Sequence, residues 1–128
     1  MILAEVGEQD ATPVLKEMLK HSDHHRRESA AESLAELGDD SGAAELVKML
    51  EYTDKNHPLL TSNKEMKSDK DGWKNLLKIV DEERIRVCGH VEKLKIQKAK
   101  GALQKLAGST NPNVAEAAKK ALSALAAG

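Results

Sequence analysis

The seven residues LAELGDD at 34–40 restate, with changes, the LAEVGEQ of 3–9, at a spacing of 31. The overlay extends to ILAEVGEQDATPVLKEMLKHSD (2–23) on SLAELGDDSGAAELVKMLEYTD (33–54). Leu3, Ala4, Glu5, Gly7, Met18, Leu19 and Asp23 meet Leu34, Ala35, Glu36, Gly38, Met49, Leu50 and Asp54. A unit of about 30 residues written more than once cannot bury its apolar face alone and needs a copy of itself alongside. No other feature restricts the fold as strongly.

Each copy reads as a helix end, a tight turn and a second helix. In HHRRESAAESLAELG (24–38), Ala30, Ala31, Leu34 and Leu37 recur at spacings of three and four, one face of an α-helix. Gly38 supplies the residue that helix exits favour, and Asp39, Asp40 and Ser41 supply capping oxygens for the next helix. A further copy lies at an offset of 57, where VEKLKIQKAKGALQKLAGSTN (91–111) puts Leu94 on Leu37, Leu103 on Leu46 and Lys105 on Lys48. Its first helix, near 82–94, offers Val87, Cys88, Val91 and Leu94 for the apolar face. At an offset of 88, NVAEAAKKALSALAAG (113–128) offers Ala118, Leu122 and Leu125, with Lys119 at the fourth position.

The unit between is eroded. Its second helix is legible, with Leu77 under Leu46 and Val80 under Met49. Its first would be KNHPLLTSNKEMKSDK, where Thr61, Ser62, Glu65 and Ser68 replace the apolar face and Pro58 interrupts. With six charged residues (Lys55, Lys64, Glu65, Lys67, Asp69, Lys70), 55–70 is expected to be an irregular, mobile loop with at most a short turn around Pro58, Leu59 and Leu60.

The expected architecture is all-α: a right-handed α-solenoid of stacked antiparallel helix pairs, about eight helices with one eroded repeat, in a single domain over 1–128. More than 60% helix and no sheet are expected. The pattern resembles the short HEAT-like repeats of the phycobilisome-lyase and HEAT-repeat type, through Asp23, Arg27, Ala30, Ala31, Leu34, Leu37 and Gly38. The resemblance covers 1–54 and 82–128. It implies a binding scaffold, an accessory subunit of a phycobilin lyase or chromophore-handling complex, or, rarely, an enzyme. Tetratricopeptide units need aromatics, and Tyr52 and Trp73 are the only two here. Of the ankyrin signature only ATPVL (11–15) is an echo.

Charged residues make up 32% of the chain, which suits an elongated helical protein with much exposed surface. The net charge of −1 conceals an acidic first half, −7 over 1–63, and a basic second half, +6 over 64–128. A single cysteine allows no internal disulfide, and no secretory or membrane-spanning apolar run is present. The expectation is a soluble, cytoplasmic protein.

Catalytic, cofactor and metal residues are all read as none. HSDHH gathers His21, Asp23, His24 and His25, but it straddles an interhelix turn and reads as a capping Asp with exposed histidines. HEAT-like hydroxylases hold iron through paired His-Glu motifs; no His here precedes a Glu, and His57 and His90 stand alone. Cys88, near Arg84 and Arg86, reads as a small apolar core residue rather than a thiolate nucleophile. The partner-binding candidates are Lys16, Lys20, Lys48, Lys74, Lys78, Lys98 and Lys105, with Lys100 beside them. They lie on second helices, which line the concave face in HEAT-like solenoids, and a lysine-rich face calls for an acidic protein or a phosphate backbone. Nucleic acid is the weaker match, because Arg is scarce there and no aromatic platform offers base stacking. Finally, ILAEV and ALSALAA read as open apolar layers at the two ends, so self-association through the ends is expected, head to tail or as a two-fold dimer.

Overall fold

A computed structural model describes residues 11–127. The expectations for LAEVGEQ and for the apolar ILAEV end lie outside the described residues. Of the described residues 77% are helical, with no strand among them. Residues 11–18 form α1. There follow α2 (His24–Glu36), α3 (Ala43–Glu51), the one-turn α4 (Pro58–Thr61), α5 (Lys70–Leu94), α6 (Lys100–Leu106) and α7 (Pro112–Ala127). Short 3-10 turns occupy Lys64–Ser68 and Gln97–Ala99.

Helix α2 starts at Asp23, whose Oδ1 accepts from the His25 N–H at 3.1 Å. It ends at Gly38, φ 80°, with the Asp39 N–H bonded to Leu34 O at 2.9 Å and the Gly38 N–H to Ala35 O at 2.9 Å. A left-handed residue after a helix lets the following N–H groups reach back to the last carbonyls, the Schellman exit. Helix α5 leaves in the same way: Lys95 has φ 52°, the Ile96 N–H bonds Val91 O at 3.1 Å, and the Lys95 N–H bonds Glu92 O at 3.3 Å. Every group in the second exit stands 57 residues after its counterpart in the first. The repeat therefore extends to backbone hydrogen bonds, even though a lysine occupies the glycine's place.

The apolar faces follow the same register. Ala30, Ala31 and Leu34 on α2, and Val87, Cys88 and Val91 on α5, are all at most 1% exposed. Leu37 departs from the expected stripe at 37% exposed, and Ala35 takes its place inside. On α7 the buried stripe is Val114, Ala118, Ala121 and Leu125, with Leu122 only partly buried against the core. That stripe lies slightly round from the expected one, because Val114 at the helix start sets its line. Glu116, Lys119, Lys120 and Ser123 are exposed. The ALSALAA segment therefore turns Ala121 and Leu125 inward, contrary to the open apolar layer expected there.

Helix α5 packs on both α2 and α7, while α3 packs on α2, α5 and α6, and α6 on α7. With no Phe in the chain, the shared core is Leu, Ala, Val, Met, Ile96 and Cys88, so backbones must approach closely. At Gly42 an added Cβ would lie 2.6 Å from the Ala31 Cα and Cβ. Polar clasps fix the register between α2 and α5. Arg86 forks onto Glu32, Nε to Oε1 at 2.6 Å and Nη2 to Oε2 at 3.0 Å, and Lys93 Nζ donates to Glu36 O at 3.2 Å.

Two differences from expectation concern the eroded unit. The repeat predicts a helix ending near Val80 and a new one near Glu82, but α5 runs through both in 25 residues. LKIVDEERIRV supplies no glycine, proline or capping turn at that point, so nothing interrupts the helix. The segment 55–70 holds the short turn expected at Pro58–Thr61 and a 3-10 turn besides, with anchors that its charge obscured. Leu60 is 1% exposed, and Gly72 leaves room for the Met66 methyl, which an added Cβ would meet at 2.6 Å. His57, also buried, accepts the Leu59 N–H at Nδ1 and pairs with Glu83 through Nε2 at 2.8 Å.

Burial, reinforced by Glu92, pushes the Cys88 thiol up to about 11 from an ordinary 9.0. A thiol that ionises later folded than unfolded adds stability that is complete below pH 9 and lost as pH rises toward 11. In urea titrations the parent protein should therefore lose stability across that window more steeply than Cys88→Ala; parallel curves would contradict the assignment. The two helix exits give a reciprocal test. Lys95→Gly should stabilise by about 1 kcal/mol, and Gly38→Lys should destabilise by a similar amount, because only glycine adopts the left-handed region freely. Thermal melts of both variants check it, and shifts of the same sign would break the equivalence.

Candidate functional site

The lysines expected on one face divide. Lys16 is ion-paired with Asp39 at 3.5 Å and Lys20 with Glu17 at 3.6 Å, while Lys48 is exposed on α3. Lys98 and Lys105 line a cleft of about 680 Å³ between the end of α3 and α6, floored by Leu50, Ala102 and Leu106 and edged by Tyr52, Ser109 and Thr110. Lys74 and Lys78 line another, about 450 Å³, with Leu77, Asp81 and Asn111. A third, about 580 Å³, is lined by Lys55, Lys64, Lys67, Leu60, Trp73 and Leu77. Lys55, Lys64 and Lys67 are not among the partner-binding candidates that the repeat pattern picks out; in the sequence they count only toward the charge of the eroded unit.

One side chain joins the three clefts. Arg84, 8% exposed, lies against the first. Its Nη2 donates to Asp54 Oδ1 at 3.0 Å and to Tyr52 O at 3.2 Å, and its Nη1 to Asp81 Oδ1 at 2.9 Å. Asp54 lines the third cleft and Asp81 the second, where Asp81 Oδ2 also accepts from Asn111 Nδ2 at 2.9 Å. Asn111 in turn caps α7, its Oδ1 accepting from the Asn113 N–H at 2.9 Å. The Nε of Arg84 is buried without a hydrogen-bond partner among the described residues. Leaving such a donor unsatisfied costs about 1–3 kcal/mol.

The seven lysines of the clefts (Lys55, Lys64, Lys67, Lys74, Lys78, Lys98 and Lys105) are all exposed, and none forms an ion pair among the described residues. Lys67 Nζ sits 5.4 Å from the Trp73 ring centroid. Six of the seven belong to the basic half 64–128, and Lys55 to the acidic one; Lys48 on α3 and Lys119 and Lys120 on α7 are likewise exposed without an ion pair among the described residues.

The histidines fall elsewhere. His24 and His25 are exposed at the start of α2, and His21 Nδ1 accepts from the Asp23 N–H at 3.0 Å. His57 and His90 each face a carboxylate, Glu83 and Glu32. Tyr52 donates to Glu28 Oε2 at 3.0 Å; burial and that contact push the tyrosine up to about 12, and burial raises the Glu28 carboxyl. Among the described residues no group of three or more His, Cys, Asp or Glu is placed to hold a metal ion. Among them, too, no helix is long and apolar enough to cross a membrane.

The family model described as HEAT repeats matches residues 1–57, a stretch that takes in α1, α2 and α3. No curated protein and no solved structure matches the chain. The match ends just beyond Asp54, where the 31-residue overlay also ends. Over residues 1–57 the chain is thus similar to the HEAT-repeat family, in the first of the two stretches that the sequence resemblance picked out.

Proposed function

We propose that the protein is a non-enzymatic interaction module, its helix pairs stacked as a right-handed HEAT-like solenoid, that binds an acidic segment of another protein. HEAT repeats generally mediate protein–protein interaction. The observation that carries the acidic partner is the set of seven unpaired lysines on three clefts joined by Arg84. Lysines with no internal carboxylate keep their attraction for an external one, and apolar floors such as Leu50, Ala102 and Leu106 give a docked chain surface to bury.

The other readings have less behind them. A phosphate backbone favours arginine forks and open aromatic faces, whereas the clefts hold lysines and Lys67 covers a face of Trp73. A place beside a phycobilin lyase rests on the repeat resemblance alone. Self-association through the ends draws on the same charge split, and sedimentation at several concentrations separates it from binding in trans.

A labelled, C-terminally amidated octaglutamate peptide tests the reading by fluorescence polarisation. The double variant Lys98→Glu with Lys105→Glu should weaken its binding about tenfold or more, while Lys16→Glu with Lys20→Glu, whose lysines are already paired, should change it little. Raising salt from about 0.1 to 0.5 M should weaken the parent complex as well. Equal losses in the two double variants, or no binding by the parent, would overturn the assignment of the cleft.

A further inference from the structure

Arg84 has a counterpart in Arg27, 57 residues earlier, near the start of α2. Both guanidinium groups donate to backbone carbonyls outside their own helix: Arg27 Nη1 to His21 O at 2.7 Å and Ser22 O at 2.9 Å in the turn before α2, and Arg84 Nη2 to Tyr52 O at 3.2 Å just after α3. They part at Nε. Arg27 Nε donates to Glu45 Oε1 at 2.7 Å, an ion pair that closes α2 onto α3. The residue 57 after Glu45 is Ala102 on α6, and Arg84 Nε has no partner. The α2–α3 pair packs closely; the α5–α6 pair is not among those that do, and the 680 Å³ cleft lies there instead, with Arg84 and Ala102 both on its wall.

We infer that this cleft seats a glutamate side chain of the acidic partner in the place that Glu45 fills one unit earlier, its carboxylate accepting the Arg84 Nε–H between Lys98 and Lys105. The inference rests on the acidic-partner reading and names the group that anchors it. The Nη atoms of Arg84 are already engaged by Asp54, Asp81 and the Tyr52 carbonyl, so Nε is the donor left to offer. Glu51 also lines the cleft, and Lys98 and Lys105 outweigh it there, while the charges of Asp54 and Asp81, outside the lining, are met in part by Arg84 itself. The Nε–H is covered in the free protein, so the guanidinium shifts as the carboxylate enters. A charge-assisted bond then replaces an unsatisfied donor.

Ala102→Glu supplies the missing carboxylate from α6 itself. It should raise the melting temperature and weaken octaglutamate binding about tenfold or more, because the internal group occupies the seat. Ala102→Gln, similar in size but uncharged, should weaken binding much less. A second readout needs no variant: the Arg84 Nε–H proton resonance should move downfield as octaglutamate is titrated into the parent protein. If the parent binds the peptide, and Lys98→Glu with Lys105→Glu abolishes binding, while Ala102→Glu and the Arg84 resonance are without effect, the anchor is wrong and the acidic-partner reading stands. Equal losses from Ala102→Glu and Ala102→Gln would also overturn the anchor, since filling the space would then account for both. Absence of binding by the parent overturns the inference together with the reading beneath it.

Discussion

A buried guanidinium must be satisfied from several directions at once, because its donors fan out in a plane and its charge cannot be left in a dry interior. At Arg84 that requirement draws together Tyr52 and Asp54 after α3, Asp81 one turn back on α5, and, through Asp81, Asn111 before α7. Two connections that are remote in sequence are thereby pinned to the middle of α5. The three clefts open around it because the helices converge there without filling the space between their ends. Arg84 takes up Asp54 and Asp81, and Lys74, Lys78, Lys98 and Lys105 form no ion pair among the described residues, although Glu51 shares the cleft of the last two.

What could be read from the sequence was whatever a helical period and a repeat offset encode. The stripe Ala30, Ala31, Leu34, its copy Val87, Cys88, Val91, and the exit at Gly38 follow from spacing alone, and Lys95 extends that exit to a position whose side chain gives no hint of it. The continuity of α5 was hidden because an overlay transfers breaks from one unit to the next, whereas a helix stops only where its own residues stop it. Arg84 was legible in principle: Arg27 is one of the residues that carry the family resemblance, and 57 positions on stands another arginine. The cleft was not, because it is defined by a residue that is missing, an alanine where the earlier unit has Glu45.

The segment 55–70 shows how a few side chains can tie a polar stretch to the core. Its charges are real, but Leu60 goes fully inside, Met66 lies against the bare Cα of Gly72, and His57 caps α4 while holding Glu83. These three anchors pack against the first half of α5. Lys55, Lys64 and Lys67 stay on the surface and share a cleft with Leu60, Leu77 and Trp73.

Duplication supplies a measure of what each unit has given up. In the α2–α3 pair, Arg27 and Glu45 complete each other, and the seam is closed. In the later pair the arginine remains, its chain-internal acids hold only the tips of the guanidinium, and the seam is open. An unsatisfied donor of this kind lowers stability by about 1–3 kcal/mol, and proteins tolerate such local violations chiefly where a site needs them. A purely structural role for Arg84 would be served as well by a glutamate at 102, which would close the seam as Glu45 does. Keeping the guanidinium while omitting its partner leaves a donor free for a carboxylate from elsewhere, in a cleft whose lining also holds the unpaired Lys98 and Lys105.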